Sequence, residues 1–215
     1  VEHFQHLGRR NVTKYHWRDG GPSRPGYWGG AENGGIVTGP GQGDGYIWRS
    51  DLVYVAPSGR KAMMSYPIFT SSYSGITVDF KEGPWKDGAY LKDGNIRFIN
   101  FAGLNHHGAD TGITASIKNY LGICDMTCGY RGTGPEGFHN FHFVGYNNWP
   151  GKIKALMRKI GWREKTPAMG ACVGYFMRTV RYADLNFLTA EWVGYGSRTD
   201  TNLRERTRTV LASLD

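Results

Sequence analysis

The sequence predicts an α/β fold in which a layered, at least partly parallel sheet carries helices packed on it. Short runs rich in β-branched and aromatic residues, bounded by Gly, Pro and Asp, have the composition of strands. Between them lie segments whose apolar residues recur every three or four positions, as on one face of a helix. Strands that alternate with helices are typical of sheets with parallel pairing.

The composition suits one folded domain with a long glycine-rich loop near its N-terminus. Of the 215 residues, 40% are hydrophobic and 14% aromatic, which is enough for a core. Glycine occurs 32 times and is concentrated in residues 19–45, where it disfavours a helix. Tyr27 and Trp28 in this loop either form a stacking surface for a ligand or pin the loop to the domain. Residues 1–95 are thus loop- and strand-rich, and 96–215 hold the remaining elements of one domain spanning 1–215.

Strand composition and turn residues predict the individual strands. We expect strands at 46–56, 61–69, 75–80, 95–101, 184–192 and 209–214. Residues 81–94 carry turn signals, among them Gly83-Pro84 and Asp93-Gly94.

Helical spacing predicts three helices. The first covers 110–121, with Asp110 or Thr111 as its cap and Gly122 at its end. The second covers 151–160, with the basic residues outward and four apolar residues inward: Ile153, Leu156, Met157 and Ile160. The third begins after Pro167 and is largely apolar, which indicates a buried helix containing Cys172 as an inert core residue.

The net charge of +8 favours anionic partners in general. The excess lies mainly in two clusters: Lys152, Lys154, Arg158, Lys159, Arg163 and Lys165, and then Arg204, Arg206 and Arg208. Such runs are usually solvated faces, and no nucleic-acid motif accompanies them, so nucleic-acid binding is disfavoured. No run reaches the roughly 18 apolar residues of a membrane span. Three cysteines are too few for a disulfide framework or a four-thiolate iron–sulfur cluster.

Residues 105–122 are the strongest candidate for a working site. A predicted strand runs into two histidines, a glycine-bearing turn and a helix, and such strand ends and helix N-termini favour anionic or oxygen ligands. The candidate acid, base or nucleophile residues are His107, Asp110 and Lys118. The candidate cofactor-binding residues are Asn105, Thr111, Thr114 and Asn119. In the alternative interpretation Asp110 only caps the helix, Lys118 is solvated and the histidines bond to backbone.

Two further features could belong to the same site. Cys124 and Cys128 precede His139 and His142, but their spacing fits a structural zinc site poorly. A looser transition-metal site drawing on His106 or His107 with His139 or His142 is favoured over it, and an aromatic strand with histidines at its turns is the alternative. Glu191 ends an apolar run beside a glycine turn, where its carboxylate either joins the site or is a surface residue.

These segments together resemble the DUF362 family of bacterial and archaeal proteins. The resemblance covers about the second half of the chain, from Arg97 onward. It rests on NHH at 105–107, GIT at 112–114, KN at 118–119 with Gly122, Glu191 with Gly194, and TVLASLD at 209–215. Many members carry added cysteine-rich iron–sulfur segments, which are not visible here. The family's last motif normally continues beyond the aspartate, so we expect this chain to be a piece of a longer prokaryotic protein.

The segment around His107 and Lys118 is also similar to the lactate racemase family, in which the corresponding lysine holds a nickel-pincer cofactor. Taken together, these resemblances imply an enzyme or redox-associated protein that binds a transition metal ion or an anionic cofactor. The alternative is a non-catalytic structural or binding subunit, whose partners would be the remainder of its own precursor or other subunits. An exported or periplasmic location is favoured over a cytoplasmic one, although no signal in the sequence decides it.

Overall fold

The computed structural model describes residues 8, 35–92, 96–106, 113–124, 137–146, 150–161, 168–194 and 204–213. The strands within these ranges are β1 (Gly45–Val55), β2 (Lys61–Thr70), β3 (Thr77–Asp79), β4 (Gly83–Lys86), β5 (Ala89–Tyr90), β6 (Ile99–Gly103), β7 (Asn105–His106), β8 (Ile113–Thr114), β9 (Leu185–Gly194) and β10 (Arg204–Ser213). The helices are α1 (Ser116–Ile123), α2 (Phe141–Val144), α3 (Gly151–Lys159) and α4 (Ala168–Thr179), and a 3₁₀ turn covers Pro40–Gln42.

The chain divides into two compact units, and each is built from two separate stretches of sequence. The first unit comprises Val1–Ile96 and Ile123–Arg181, and the second comprises Arg97–Gly122 and Tyr182–Asp215. Each unit is described by itself below.

The first unit is organised around a five-stranded antiparallel sheet with the order β1-β2-β3-β4-β5. β2 is buried continuously from residue 62 to 68, which explains its run of apolar residues without polar alternation. The strands predicted at 46–56 and 61–69 are confirmed as β1 and β2, and β3 lies within the predicted 75–80.

Residues 81–94 were predicted as turns, yet β4 and β5 form there as a hairpin. Lys86 pairs with Ala89 across a two-residue loop made of Asp87 and Gly88, which have φ angles of 51° and 89°. An Asp-Gly pair with positive φ at both positions is the favoured tight hairpin turn because its twist matches that of the strands. The turn prediction was therefore incomplete, since the turn at Gly88 joins two short strands.

The helices of the first unit contribute to its core. In α4, the side chains of Cys172, Val173 and Phe176 are buried, as helical spacing predicted. The Phe176 ring lies 6.5 Å from that of Phe80 and 6.2 Å from that of Phe141, between centroids. Aromatic contacts of this kind bury large areas and hold the helices in place.

The second unit is a three-stranded sheet with the order β10-β9-β6, in which β9 pairs antiparallel with β10 and parallel with β6. Helix α1 is anchored by Tyr120, which is fully buried. Its hydroxyl accepts a hydrogen bond from the Ala183 amide at 2.8 Å, and its ring meets Phe98 edge-on with a centroid separation of 5.6 Å. A separate two-stranded ladder joins β7 to β8.

The predicted fold class, a layered α/β sheet covered by helices, is wrong. Most strand pairs are antiparallel, and the parallel pairing described is that of β6 with β9. Four helices lie between these two strands in sequence, and three of them, α2, α3 and α4, belong to the unit of the antiparallel sheet, while α1 belongs to the unit of β6 and β9. Most of the helices in the predicted strand–helix–strand pattern therefore do not cover the sheet that holds the parallel pair.

Two helix predictions also need correction. The helix predicted from 110 begins at Ser116, because Ile113 and Thr114 instead form β8 and pair with β7. β-Branched residues favour strands over helices, which accounts for the difference. Residues 141–144 form the short helix α2, so the alternative of an aromatic strand through His142 is wrong.

The helix predicted at 151–160 is confirmed as α3, but its orientation is not. Ile153, Leu156 and Ile160 were expected to face inward, and all three are exposed. Within the described ranges, no helix has the length and apolar character needed to cross a membrane.

Candidate functional site

The parallel pair β6–β9 defines one sheet edge at which several predicted site residues lie. Register runs from Ile99 opposite Leu185 to Gly103 opposite Thr189, and the Leu104 amide extends it by donating to the Thr189 carbonyl at 2.8 Å. Because the strands are parallel, their carboxyl ends meet at the same edge. Asn105 and His106 follow β6 there, and Glu191 lies two residues beyond Thr189 in β9.

A hairpin returns the chain from this edge to helix α1. Asn105 pairs with Thr114 and His106 with Ile113, so the backbone positions of three predicted site residues are adjacent. Thr114 therefore lies on a strand opposite Asn105, and the prediction that it belongs to the helix is wrong. His107, Asp110 and Thr111 belong to the connection between the two strands and lie outside the described residues.

Helix α1 carries the other two predicted residues of this segment. Lys118 is half-buried, and its amide donates to the Ala115 carbonyl at 3.0 Å within the first helical turn. Asn119 is exposed, but its side-chain amide donates to the Asn100 Oδ1 atom and to the Phe101 carbonyl, both at 2.9 Å. Asn119 thus fastens α1 to β6, and the cofactor contact predicted for it stays a prediction.

The buried hub of this arrangement is Asn100, which the sequence reasoning missed. Asn100 is 2% exposed, and its Nδ2 atom donates to the Ser116 carbonyl and to Asn186 Oδ1, both at 2.9 Å. Asn100 and Asn186 are also register partners in the parallel pair. The available signal was an asparagine in each of two otherwise apolar strands, since a buried amide needs partners for its hydrogen bonds.

His139 and His142 lie in the first unit. His139 is half-buried, and its backbone amide donates to the Lys61 carbonyl at 2.7 Å, which joins this segment to the start of β2. Burial lowers the pKa of His139, and the charge of Arg60 lowers it further. Within the described ranges, the Nδ1 atom of His139 is buried and has no hydrogen-bond partner. His142 lies in α2.

The described residues do not complete a metal site. Among them, no three His, Cys, Asp or Glu side chains lie close enough together to hold an ion. Cys124 and Cys172 are buried and free of disulfides, and Cys172 is a core residue as predicted. His107, one of the predicted metal ligands, lies outside the described part of the chain.

A second polar cluster, also missed by the sequence reasoning, joins the strands of the first unit. Arg49 donates two hydrogen bonds of 2.7 Å to Asp51 and a longer one of 3.3 Å to the Tyr66 hydroxyl. Burial raises the pKa of Tyr66 to about 12, so this hydroxyl stays protonated. Buried Asp79 accepts from Tyr90 and from the amides of Lys81 and Glu82. These groups satisfy one another, which is typical of a structural network.

Comparisons with protein-family models, with curated proteins and with solved structures gave no match for this chain.

Proposed function

We propose that this chain is a DUF362-like protein that binds a metal ion or a small anionic cofactor at the carboxyl edge of the β6–β9 pair. The observation that carries the proposal is the placement of Asn105, His106, Thr114 and Glu191, which the parallel strands and the β7–β8 hairpin bring to one edge of the second unit. In sheets with parallel strands, ligands bind beyond the carboxyl ends of the strands.

The residue types at this edge suit such a ligand. An imidazole from His106 or His107 and the Glu191 carboxylate are donors that transition metals accept. Lys118 supplies a positive charge for a carboxylate or phosphate, and Asp110 or His107 can transfer protons. The Asn100–Asn119–Asn186 network holds the strands and α1 in a fixed relation, which a ligand site needs for a preorganised geometry.

Metal analysis of the purified protein tests this proposal. The variants His106→Ala, His107→Ala and Glu191→Gln remove candidate ligands, whereas His16→Ala removes a histidine from outside the candidate set. We expect a first-row transition metal in the wild type and in His16→Ala, and at least about a tenfold loss of affinity in the ligand variants. The variant His139→Ala tests whether His139 is a metal ligand. A site made of His106 or His107 with Glu191 would keep its metal in this variant, whereas a site that includes His139 would lose it.

The second candidate function is a non-catalytic subunit of a larger assembly. It is favoured by the apolar face of the three-stranded sheet, where Ile99, Phe101 and Val210 are exposed and Phe101 retains 64% of its accessible surface. Exposed apolar patches of this kind commonly mark protein interfaces. A wild-type protein that takes up neither Zn²⁺, Ni²⁺ nor Fe²⁺ but forms a defined oligomer in light scattering contradicts the first proposal and supports this one.

A further inference from the structure

Helix α3 presents its apolar residues to solvent. Ile153 is 45% exposed, Leu156 59% and Ile160 61%. Their spacing of three and four residues places them along one stripe of the helix, and the Ile160 amide continues the helical turn by donating to the Leu156 carbonyl at 3.3 Å. Burial of each such side chain is worth roughly a tenfold or larger factor in an equilibrium, so this stripe is a surface with a strong tendency to be covered.

The charge of the same helix is entirely positive. Lys152, Lys154, Arg158 and Lys159 are its charged residues, and α3 contains no acidic residue. Lys152 and Lys159 are exposed. At 100° per residue, the basic positions fall outside the arc that holds the apolar stripe and flank it on both sides. The sequence continues past the helix with Trp162, Arg163 and Lys165, against a single acid, Glu164.

These two properties together distinguish α3 from a helix that only faces solvent and from a helix that packs against its own unit. A helix that only faces solvent has no reason to carry an exposed stripe of Ile and Leu, and a helix that only packs against its own unit would bury that stripe. A short helix with an apolar stripe, a Lys- and Arg-rich opposite face and low mean hydropathy is typical of helices that lie in a membrane interface.

We propose that α3 docks the first unit onto an anionic phospholipid surface. At 1.5 Å per residue its nine residues extend for about 13 Å, so it would lie in the plane of the interface. Ile153, Leu156 and Ile160 would enter the boundary between headgroups and acyl chains. The stems of Lys152 and Lys159 would cover apolar surface while their ammonium groups meet lipid phosphates. The complementarity of charge selects this partner, since an uncharged bilayer offers nothing to the four basic residues.

The binding expected for a single helix is weak, and it depends both on the apolar stripe and on the basic residues of α3. Each Lys or Arg near an anionic surface contributes about a fivefold factor to the partition coefficient, and salt screens it. This surface involves other residues and another unit than the proposed ligand site, so either proposal can fail without the other.

Flotation of the full chain with phospholipid vesicles tests the proposal. One vesicle preparation contains phosphatidylcholine only, and the other contains phosphatidylglycerol and phosphatidylcholine in equal parts. A stripe variant carries Leu156→Ser and Ile160→Ser, and a charge variant carries Lys152→Gln and Lys159→Gln. The matched controls change equally exposed residues of the same unit: Val55→Ser with Tyr73→Ser, and Lys86→Gln with Lys92→Gln.

We expect the wild type and both controls to float with anionic vesicles at low salt and not with neutral ones. The charge variant should lose about 30-fold in partition coefficient, and the stripe variant about tenfold or more. Because all substituted side chains are exposed, circular dichroism should show all variants folded.

Three results would overturn the proposal. The first is no flotation of the wild type with anionic vesicles. The second is binding that the stripe variant retains in full and that duplex DNA competes away, which would indicate a purely electrostatic polyanion surface. The third is a stripe variant that changes only the self-association of the protein in light scattering, which would make this face a protein interface.

Discussion

Buried amides tie the two parallel strands of the second unit to helix α1. Asn100 donates both to Asn186 across the pair and to the Ser116 carbonyl at the start of α1, and it accepts from Asn119. A hydrogen bond contributes little net free energy by itself, but a buried partner left unsatisfied costs the full desolvation of that group. Asn100 is therefore a residue whose removal affects several elements at once.

The variant Asn100→Ala should lower the free energy of unfolding by about 2–3 kcal/mol, because it removes, at a buried position, the hydrogen bonds to the Ser116 carbonyl, to Asn186 and from Asn119. Asn119→Ala removes an exposed amide from the same network, and water can replace its bonds, so its loss should be clearly smaller. Urea denaturation of the two variants measures the difference. Equal losses would show that Asn100 is not the hub of the network.

His139 gives the first unit a pH-dependent contribution to stability. Its pKa lies below 6.5 in the folded state, mainly through burial, so between the folded value and 6.5 the unfolded chain binds more protons. This contribution is fully present above pH 6.5 and is lost as the pH falls through the folded pKa. The urea midpoint should therefore fall on acidification, and His139→Gln should flatten that fall. An unchanged slope in His139→Gln would contradict the assignment.

Elements in which the intrinsic propensity of the residues and their burial favour the same structure could be predicted from the sequence. β2 combines suitable propensity with continuous burial, and β1 and α4 are each buried in part. The bounds of β1 and β2 and the start of α4 differ from the predicted ones by a residue or so. The β4–β5 hairpin was missed, although Asp87-Gly88 is a strong hairpin signal, because both strands are short and β4 contains Gly83 and Pro84. The outward stripe of α3 could not be predicted either, since periodicity gives the width of an apolar face and not what it packs against.

Gly45 shows how close backbone approach constrains an element. Residues 35–37 run alongside the start of β1, with the Tyr46 amide donating to the Gly35 carbonyl at 2.9 Å and the Val37 amide donating to the Tyr46 carbonyl at 2.8 Å. A Cβ atom at Gly45 would collide with that Gly35 oxygen and would lie 3.0 Å from Val37 Cγ1.

We expect Gly45→Ala to lower the free energy of unfolding by about 1–3 kcal/mol, because backbone must shift to relieve the collision. Gly174→Ala is the matched control, since that glycine lies inside α4 with open space around its Cβ direction, and alanine should stabilise the helix by up to about 1 kcal/mol. Chemical denaturation of both variants measures whether the free energy of unfolding falls in Gly45→Ala and rises in Gly174→Ala. A neutral Gly45→Ala would show that residues 35–37 do not hold β1.

The sequence predicted that the candidate residues follow a strand, but not the hairpin and the hydrogen bonds that surround them. The prediction placed the working residues after β6, where the chain does reach the edge of the parallel pair. It assumed one continuous helix through Ile113 and Thr114, whereas these β-branched residues form a strand that pairs antiparallel with Asn105 and His106. The contributions of Asn100 and Asn186 depend on a register between strands far apart in sequence, which periodicity does not contain.

At the scale of the whole chain, the interleaving of two units explains why the predicted fold class failed. β6 and β9 are parallel neighbours, and the helices α2, α3 and α4 between them belong to the unit of the five-stranded antiparallel sheet. In sequence this arrangement has the same order of strands and helices as a parallel α/β domain. Only contacts between distant residues distinguish the two architectures.

The same interleaving sets the timing of assembly on the ribosome. Asn100 and its register partner Asn186 are 86 residues apart. At a synthesis rate of about 5–20 residues per second, β6 waits on the order of 4–17 s for β9 to emerge. During that interval β6 lacks its register partner, while the antiparallel hairpins β1–β2 and β4–β5 close from local sequence. The sheet of the second unit is therefore completed only after all five strands of the first unit have been synthesised.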